Sequence, residues 1–337
     1  MALSGVLIAA VRTGVAARLA EQPSTAAELA ADLGLDPLPT GLLLDCLRSA
    51  GYAGCRGGRY RLNPSARRWL DSESGLSVAR FVAATCDYWS WWEGLDEVTR
   101  SGKPAMHHDT PPGDPYWRRY IGGQFELARL SAGAVARKLR LPAQARSLLD
   151  IGGGHGWYSA HLCRRYPGLT ATVLDLPGSA AIGREIIASA GLAHRVRFRE
   201  GDATTADLGT GYDAVLCFNL VHHLTADEAR SLFRKIHAAL APGGVLAVMD
   251  AFAEPGRRMP AAASFLGMFV YLSSGSRVHS PARLRRWLRE AGFGTPRRTG
   301  IAHIPGQSMY MVRKTTPAAV RRGDSRRLLT HTRFARS

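Results

Sequence analysis

The stretch from Ser147 to Ser159, Ser-Leu-Leu-Asp-Ile-Gly-Gly-Gly-His-Gly-Trp-Tyr-Ser, does most to fix what this chain can fold into. Leu148, Leu149 and Ile151 form a short apolar run that suits a strand buried on both faces. Gly152, Gly153, Gly154 and Gly156 break that run, and a helical pattern follows from Trp157 towards Arg165. Strand, glycine turn, helix is the local context that a nucleotide-type cofactor needs. Glycines let the backbone approach a ligand closely, and the free N–H groups of the turn and helix start can receive an anionic group. The plain alternative is an ordinary tight turn between a strand and a helix.

The neighbouring residues narrow the choice of cofactor. A dinucleotide fingerprint, G-x-G-x-x-G, wants a third glycine where this chain has Trp157, which disfavours pyrophosphate and a nicotinamide dehydrogenase. A second apolar strand, Thr172-Val173-Leu174, ends in Asp175, 23 residues after Gly152. An acid at that strand tip is placed to accept both ribose hydroxyls. Val196-Arg197-Phe198 then leads to Gly201-Asp202, an acid at a third strand tip, within reach of an adenine amine. Two acids without a phosphate cradle describe an adenosine that carries no phosphate, which points to S-adenosylmethionine.

Leu149-Asp150-Ile151-Gly152-Gly153-Gly154, Val173-Leu174-Asp175-Leu176-Pro177 and Gly201-Asp202 together resemble the S-adenosylmethionine-dependent O-methyltransferases of the plant caffeate and bacterial antibiotic-tailoring type. The resemblance runs from about Gly14 to Lys314. It implies an α/β fold, a Rossmann-like doubly wound methyltransferase sheet with an N-terminal winged-helix domain and a helical connector. In that family the winged helix serves dimerisation and roofs the substrate cavity.

The chain itself supports this division. Within residues 1–75, Thr25 and Glu28 form a T-x-x-E capping box that opens a helix Ala26 to Leu33, ended by Gly34. Pro37 to Pro39 mark a turn before a third helix, about Thr40 to Ala50, and Gly57-Gly58 centres a hairpin over Tyr52 to Leu62. Helices followed by a hairpin also suit a DNA-binding regulator. The third helix, however, carries one arginine and almost no base-reading side chains. Residues 76–141 read as a helical connector rich in aromatics, Tyr88-Trp89-Ser90-Trp91-Trp92 and later Tyr116-Trp117 and Tyr120. These are either core or the lining of an apolar pocket. Residues 142–314 alternate strands and helices, the sign of a doubly wound sheet. Residues 315–337 lack apolar periodicity and read as a basic, mobile tail. His107-His108 reads as a solvated pair in a Pro- and Asp-rich loop.

The net charge of +17 raises the question of nucleic acid. From Arg313 to Ser337 alone the chain carries eight Lys or Arg against one Asp, and the remaining excess is dispersed, so a solvated basic surface is expected. Five scattered cysteines without a C-x-x-C pair favour a reduced, cytoplasmic protein with no metal site. The expected partner is a small-molecule acceptor, with no membrane and no nucleic acid. A homodimer stays open as a further partner arrangement, although the chain begins short of the family's usual first helix, which weakens the case for a tight one.

Chemistry enters at Asn219-Leu220-Val221-His222-His223-Leu224, past the fourth strand, Ala214 to Cys217, on the side where open α/β sheets bind ligands. A histidine there is either a base or a helix-opening residue bonded to backbone. The resemblance sets His222 on the family's catalytic histidine, since spacing from Asp213 to Leu240 has no gap, and Asp250 on the acid that orients it. It sets Asp175 on the ribose, Asp202 and Ala203 at the adenine end, and Gly152, Gly154 and Gly156 on the methionine moiety. Phe218 replaces a lysine beside the cofactor, His223-Leu224 replaces Asp-Trp, and Val278, with His279 beside it, replaces a second supporting acid. A histidine near pKa ~6.5 faces a phenol near ~10, a gap of about 3.5 units or roughly 5 kcal/mol, so the proton moves during or after transfer. Methylation at carbon or nitrogen on the same scaffold stays open.

Overall fold

The computed structural model describes residues 1–104, 110–253, 261–301 and 306–315. His107-His108 and the tail beyond Thr315 lie outside the described residues. The chain opens with α1 (Ala2–Arg12), α2 (Val15–Glu21), α3 (Ala26–Leu33) and α4 (Pro37–Ser49), then β1 (Ala53–Arg56), β2 (Arg59–Leu62) and α5 (Pro64–Leu70). The capping box on α3 forms in both directions, with Glu28 N–H donating to Thr25 Oγ1 and Thr25 N–H to Glu28 Oε2. Gly57 and Gly58 both take positive φ (58° and 75°), the backbone that a two-residue hairpin turn demands. The expected turn at Pro37 to Pro39 is corrected: Asp36 caps Leu38 N–H and Pro37 occupies the first helical position, so the prolines open α4. Val15, Leu19, Leu29, Leu44, Leu47 and Leu62 form the core of this part.

Among the described residues, the α-helices that follow are α6 (Ala79–Ala84), α7 (Trp89–Glu93), α8 (Leu95–Ser101) and the long α9 (Pro115–Lys138), with a short 3-10 turn at Thr85–Tyr88 leading into α7. At 24 residues α9 spans about 36 Å. Asp114 caps it through Tyr116 N–H, with Pro115 at its first position.

The remainder is β3 (Ser147–Ile151), α10 (Trp157–Arg165), β4 (Thr170–Asp175), α11 (Pro177–Ser189), β5 (Val196–Glu200), β6 (Tyr212–Phe218), α12 (Ala226–Ala239), β7 (Leu240–Ala251), α13 (Ala261–Ser274), α14 (Pro281–Glu290), β8 (Arg297–Gly300) and β9 (Gln307–Arg313). The seven strands form one sheet in the order β5-β4-β3-β6-β7-β9-β8. The first five are parallel, and β9 lies antiparallel between β7 and β8. This is the Rossmann-like fold expected from the sequence. Successive side chains of β3 go to opposite faces: Leu148 joins Ala160, Leu162 and Val135 on one side, Leu149 and Ile151 join Leu232, Phe233 and Trp287 on the other. Because the chain winds outward from β3 in both directions, the tips of β3 and β6 diverge at a switch point, where such sheets open a crevice.

Candidate active site

A cavity of about 340 Å³ lies over the carboxyl ends of these strands. Gly152, Gly153 and Gly154 floor it, and Gly152 N–H donates to Leu174 O at 2.8 Å, tying the turn to β4. Gly153 must be glycine: a Cβ there would stand 2.6 Å from Asp150 Cγ. Gly156 does not join the wall. It opens α10 with φ 66°, and its Cβ position lies against Phe198 and Ile187.

Asp175 stands in the wall with both oxygens engaged: Gly154 N–H donates to Oδ2 and Leu176 N–H to Oδ1, each at 2.7 Å. Burial raises its pKa, while these N–H groups oppose that rise. Asp202 Oδ1 accepts from Thr204 N–H (2.7 Å) and Thr204 Oγ1 (2.8 Å), which leaves Oδ2 for a ligand. Lys235 on α12 donates to Ala203 O and Thr204 O at 3.2 Å each, pinning that loop. Ala203 and Phe218 also line the cavity, and the Phe218 ring meets Tyr158 edge-on at 5.1 Å.

Two wall residues escaped sequence reasoning. Asp150 is 1% exposed, accepts from Ser159 Oγ at 2.7 Å through Oδ2, and has no partner for Oδ1. Burial pushes its carboxyl up to about 7. His155 is also buried; its Nδ1 accepts from Trp157 N–H at 3.0 Å, which fixes the ring proton on Nε2. Burial holds it down at about 4, so at neutral pH it is an uncharged donor. Both stand in the strand–glycine motif itself, among its glycines and apolar residues.

Asp250 is the penultimate residue of β7, 1% exposed, with Oδ1 2.6 Å from His222 Nδ1. Its orientation is locked by Ala251 N–H on Oδ1 (2.7 Å) and His222 N–H on Oδ2 (3.2 Å). The carboxylate therefore occupies Nδ1, and Nε2 is the ring nitrogen left for proton transfer. The neighbouring ring of His223 lies 4.1 Å from that of His222, and it is His223 that forms part of the cavity wall. His279 donates through Nε2 to Leu224 O at 3.0 Å and so braces the loop that carries both histidines. The aromatics serve both expected places: Trp91, Tyr116 and Trp117 are buried in a cluster with Leu272, and Trp117, with Tyr120 packed against that cluster, also lines the cavity.

These residues suit one kind of ligand. The acids would take a ribose and an adenine, Gly153 in the floor has no room for a Cβ, and the unpartnered Asp150 oxygen calls for a donor. A Rossmann-like sheet with such a seat defines a methyltransferase that uses S-adenosylmethionine. The chain belongs to the O-methyltransferase family, whose domain matches residues 110–294. It is 30% identical over 311 residues to the tetracenomycin polyketide synthesis 8-O-methyl transferase TcmO of Streptomyces glaucescens, covering 89% of this chain and 90% of that one. It is 28% identical over 312 residues to the 3-hydroxy-5-methyl-1-naphthoate 3-O-methyltransferase of Streptomyces sahachiroi (88% and 87% covered). The fold is similar to that of human N-acetylserotonin methyltransferase in complex with S-adenosylmethionine, with TM-score 0.81 and 22% identity over 93% of this chain and 94% of that one. The protein is thus an S-adenosylmethionine-dependent O-methyltransferase of secondary metabolism.

Proposed function

We propose that His222 acts as the general base on an aromatic or polyketide-like hydroxyl, with Asp250 as its orienter. The observation that carries this reading is the 2.6 Å contact between His222 Nδ1 and Asp250 Oδ1 at the tip of β7, beside the cofactor cavity. The cofactor supplies an electrophilic methyl group. Asp175 holds its ribose, Asp202 and Ala203 its adenine end, and Gly152 and Gly154 its methionine arm, with Phe218 beside it. Asp250 fixes the His222 tautomer and stabilises the imidazolium once the acceptor's proton arrives at Nε2. Positioning supplies most of the acceleration, and a base typically adds about 10²- to 10⁴-fold. The relatives that act on polyketide and naphthoate hydroxyls support the acceptor class.

In this reading residues 1–75 are a winged helix that roofs the acceptor and carries a homodimer contact, residues 76–141 connect it, and residues 142–314 are the catalytic domain. The protein works in the cytoplasm and binds no nucleic acid. Among the described residues no single helix is long and apolar enough to cross a membrane.

The test is a panel of phenols and hydroxyquinones, followed by variants assayed on whichever is methylated. His222→Ala or His222→Gln should lower kcat by about 10²-fold or more with S-adenosylmethionine affinity unchanged, as for an interaction made mainly in the transition state. His223→Ala should cost less than about tenfold, and Asp250→Asn should fall between wild type and His222→Ala. A dead His223→Ala beside an active His222→Ala would transfer the role of base to the neighbouring ring.

A further inference from the structure

Asn219 has no part in the chemistry above, yet it sits under more constraint than its neighbours. Among the described residues it is the non-glycine residue with left-handed backbone, at φ 52°. Asparagine tolerates that region better than most residues, but glycine would occupy it without cost. Its Oδ1 is buried with no hydrogen-bond partner, although the residue forms part of the cavity wall. A strained backbone and an unsatisfied buried oxygen at one position are kept where the surrounding structure holds them for a purpose.

Its place on the sheet says which purpose. Asn219 N–H donates to Met249 O at 2.8 Å, continuing the ladder from β6 to β7, whose next residue is Asp250. On the other side, Leu220 packs on the glycine turn of β3, within 3.3 Å of where a Gly152 Cβ would lie. In the proposed reading the strand order lays out the site as adenine at β5, ribose at β4, methionine at β3, then Asn219 and His222 on the segment that follows β6, with Asp250 of β7 behind His222. Asn219 thus lies between the methionine arm and the base, where the methyl group must cross.

We propose that the Asn219 carboxamide holds the reacting hydroxyl of the methyl acceptor in line with the transferred methyl group, an inference that rests on the hydroxyl reading above. In the transfer, the acceptor oxygen bonds to the methyl carbon as the carbon–sulfur bond breaks and its electron pair returns to sulfur. The hydroxyl proton passes to His222 Nε2. The hydroxyl hydrogen can rest on Asn219 Oδ1 while the acceptor is held, and turn to His222 Nε2 as the oxygen attacks. Being neutral and weakly nucleophilic, the carboxamide does not itself compete for the methyl group.

The experiment compares Asn219→Gly and Asn219→Ala with wild type on a methylated hydroxyl acceptor, together with calorimetric binding of S-adenosylhomocysteine and thermal unfolding. Glycine relieves the backbone, so Asn219→Gly should melt at or above wild type, with Asn219→Ala below it. In both variants kcat/KM for the acceptor should fall by about tenfold or more, with S-adenosylhomocysteine affinity held within about twofold. Wild-type kcat/KM in Asn219→Gly would overturn the inference. A parallel loss of S-adenosylhomocysteine affinity would overturn it too, by moving the carboxamide to the cofactor. A fall of several degrees in the melting temperature of Asn219→Gly would make the residue structural. If wild type methylates amines or carbons but no hydroxyl, the hydroxyl reading fails first and takes this inference with it, an outcome visible before any variant is assayed.

Discussion

Asp150 and His155 are two buried ionisable groups in one wall, shifted in opposite directions by the same cause. For Asp150 the folded pKa, about 7, lies above the ordinary 3.8. Its contribution to stability is therefore complete below 3.8 and is lost as pH rises towards 7. His155 is held at about 4 against 6.5, so its contribution is complete above 6.5 and is lost as pH falls towards 4. Ligand-free Asp150→Asn should consequently gain on wild type in thermal unfolding as pH rises from 4 to 7. The gain has a ceiling near 4 kcal/mol, since one unit is about 1.4 kcal/mol. A difference that stays flat over that range would mean that the carboxylate is solvated in the free protein. His155→Gln should show the complementary pattern, gaining on wild type as pH drops from 6.5 to 4. None of this was legible from residue types: Asp150 reads as one polar letter in an apolar strand, and its isolation comes from walls supplied by other elements.

At the level of elements, local chemistry was read well where it is local. The α3 capping box, the paired glycines of the hairpin and the strand–turn–helix of β3 and α10 are specified within a few residues of one another, and the structure has them. Pro37 to Pro39 misled because the same prolines can close a turn or open a helix, and the deciding hydrogen bond comes from Asp36. Long-range ties were out of reach. Lys235 looks like any exposed helical lysine, yet it holds the loop of Ala203 and Thr204 from a distance of about thirty residues in sequence. Lys235→Met should keep the aliphatic stem and release those two carbonyls. Affinity for S-adenosylhomocysteine should then drop by about three- to tenfold, with the melting temperature nearly unchanged, because a hydrogen bond of this kind is worth about 1 kcal/mol net. Unchanged binding in calorimetry would mean that the Asp202–Thr204 turn holds the loop unaided.

For the molecule as a whole, the sequence supplied the alternation of strands and helices but not the apolar surface left over. On α4, Leu38 is 72% exposed and Leu42 is 59% exposed, and Leu3 of α1 is 46% exposed. If the proposed homodimer uses this face, Leu38→Asp with Leu42→Asp should yield a monomer in sedimentation velocity, with stability shifted by about 0.5 kcal/mol or less per exposed site. A wild-type chain that sediments as a monomer would remove the dimer from the proposal. The aromatic contact between Trp91 on α7 and Phe269 on α13, centroids 5.4 Å apart, has a different kind of consequence. In the proposed reading the groups that hold the adenosine and move the proton stand at the strand ends, whereas this stack joins two helices outside the sheet, 178 residues apart in the chain. The two helices are therefore coupled: a substitution that removes one ring leaves the other without its partner, so changes on α7 and α13 should be non-additive. A laboratory exchange of these helices with those of a relative has to be made in pairs so that the stack is kept.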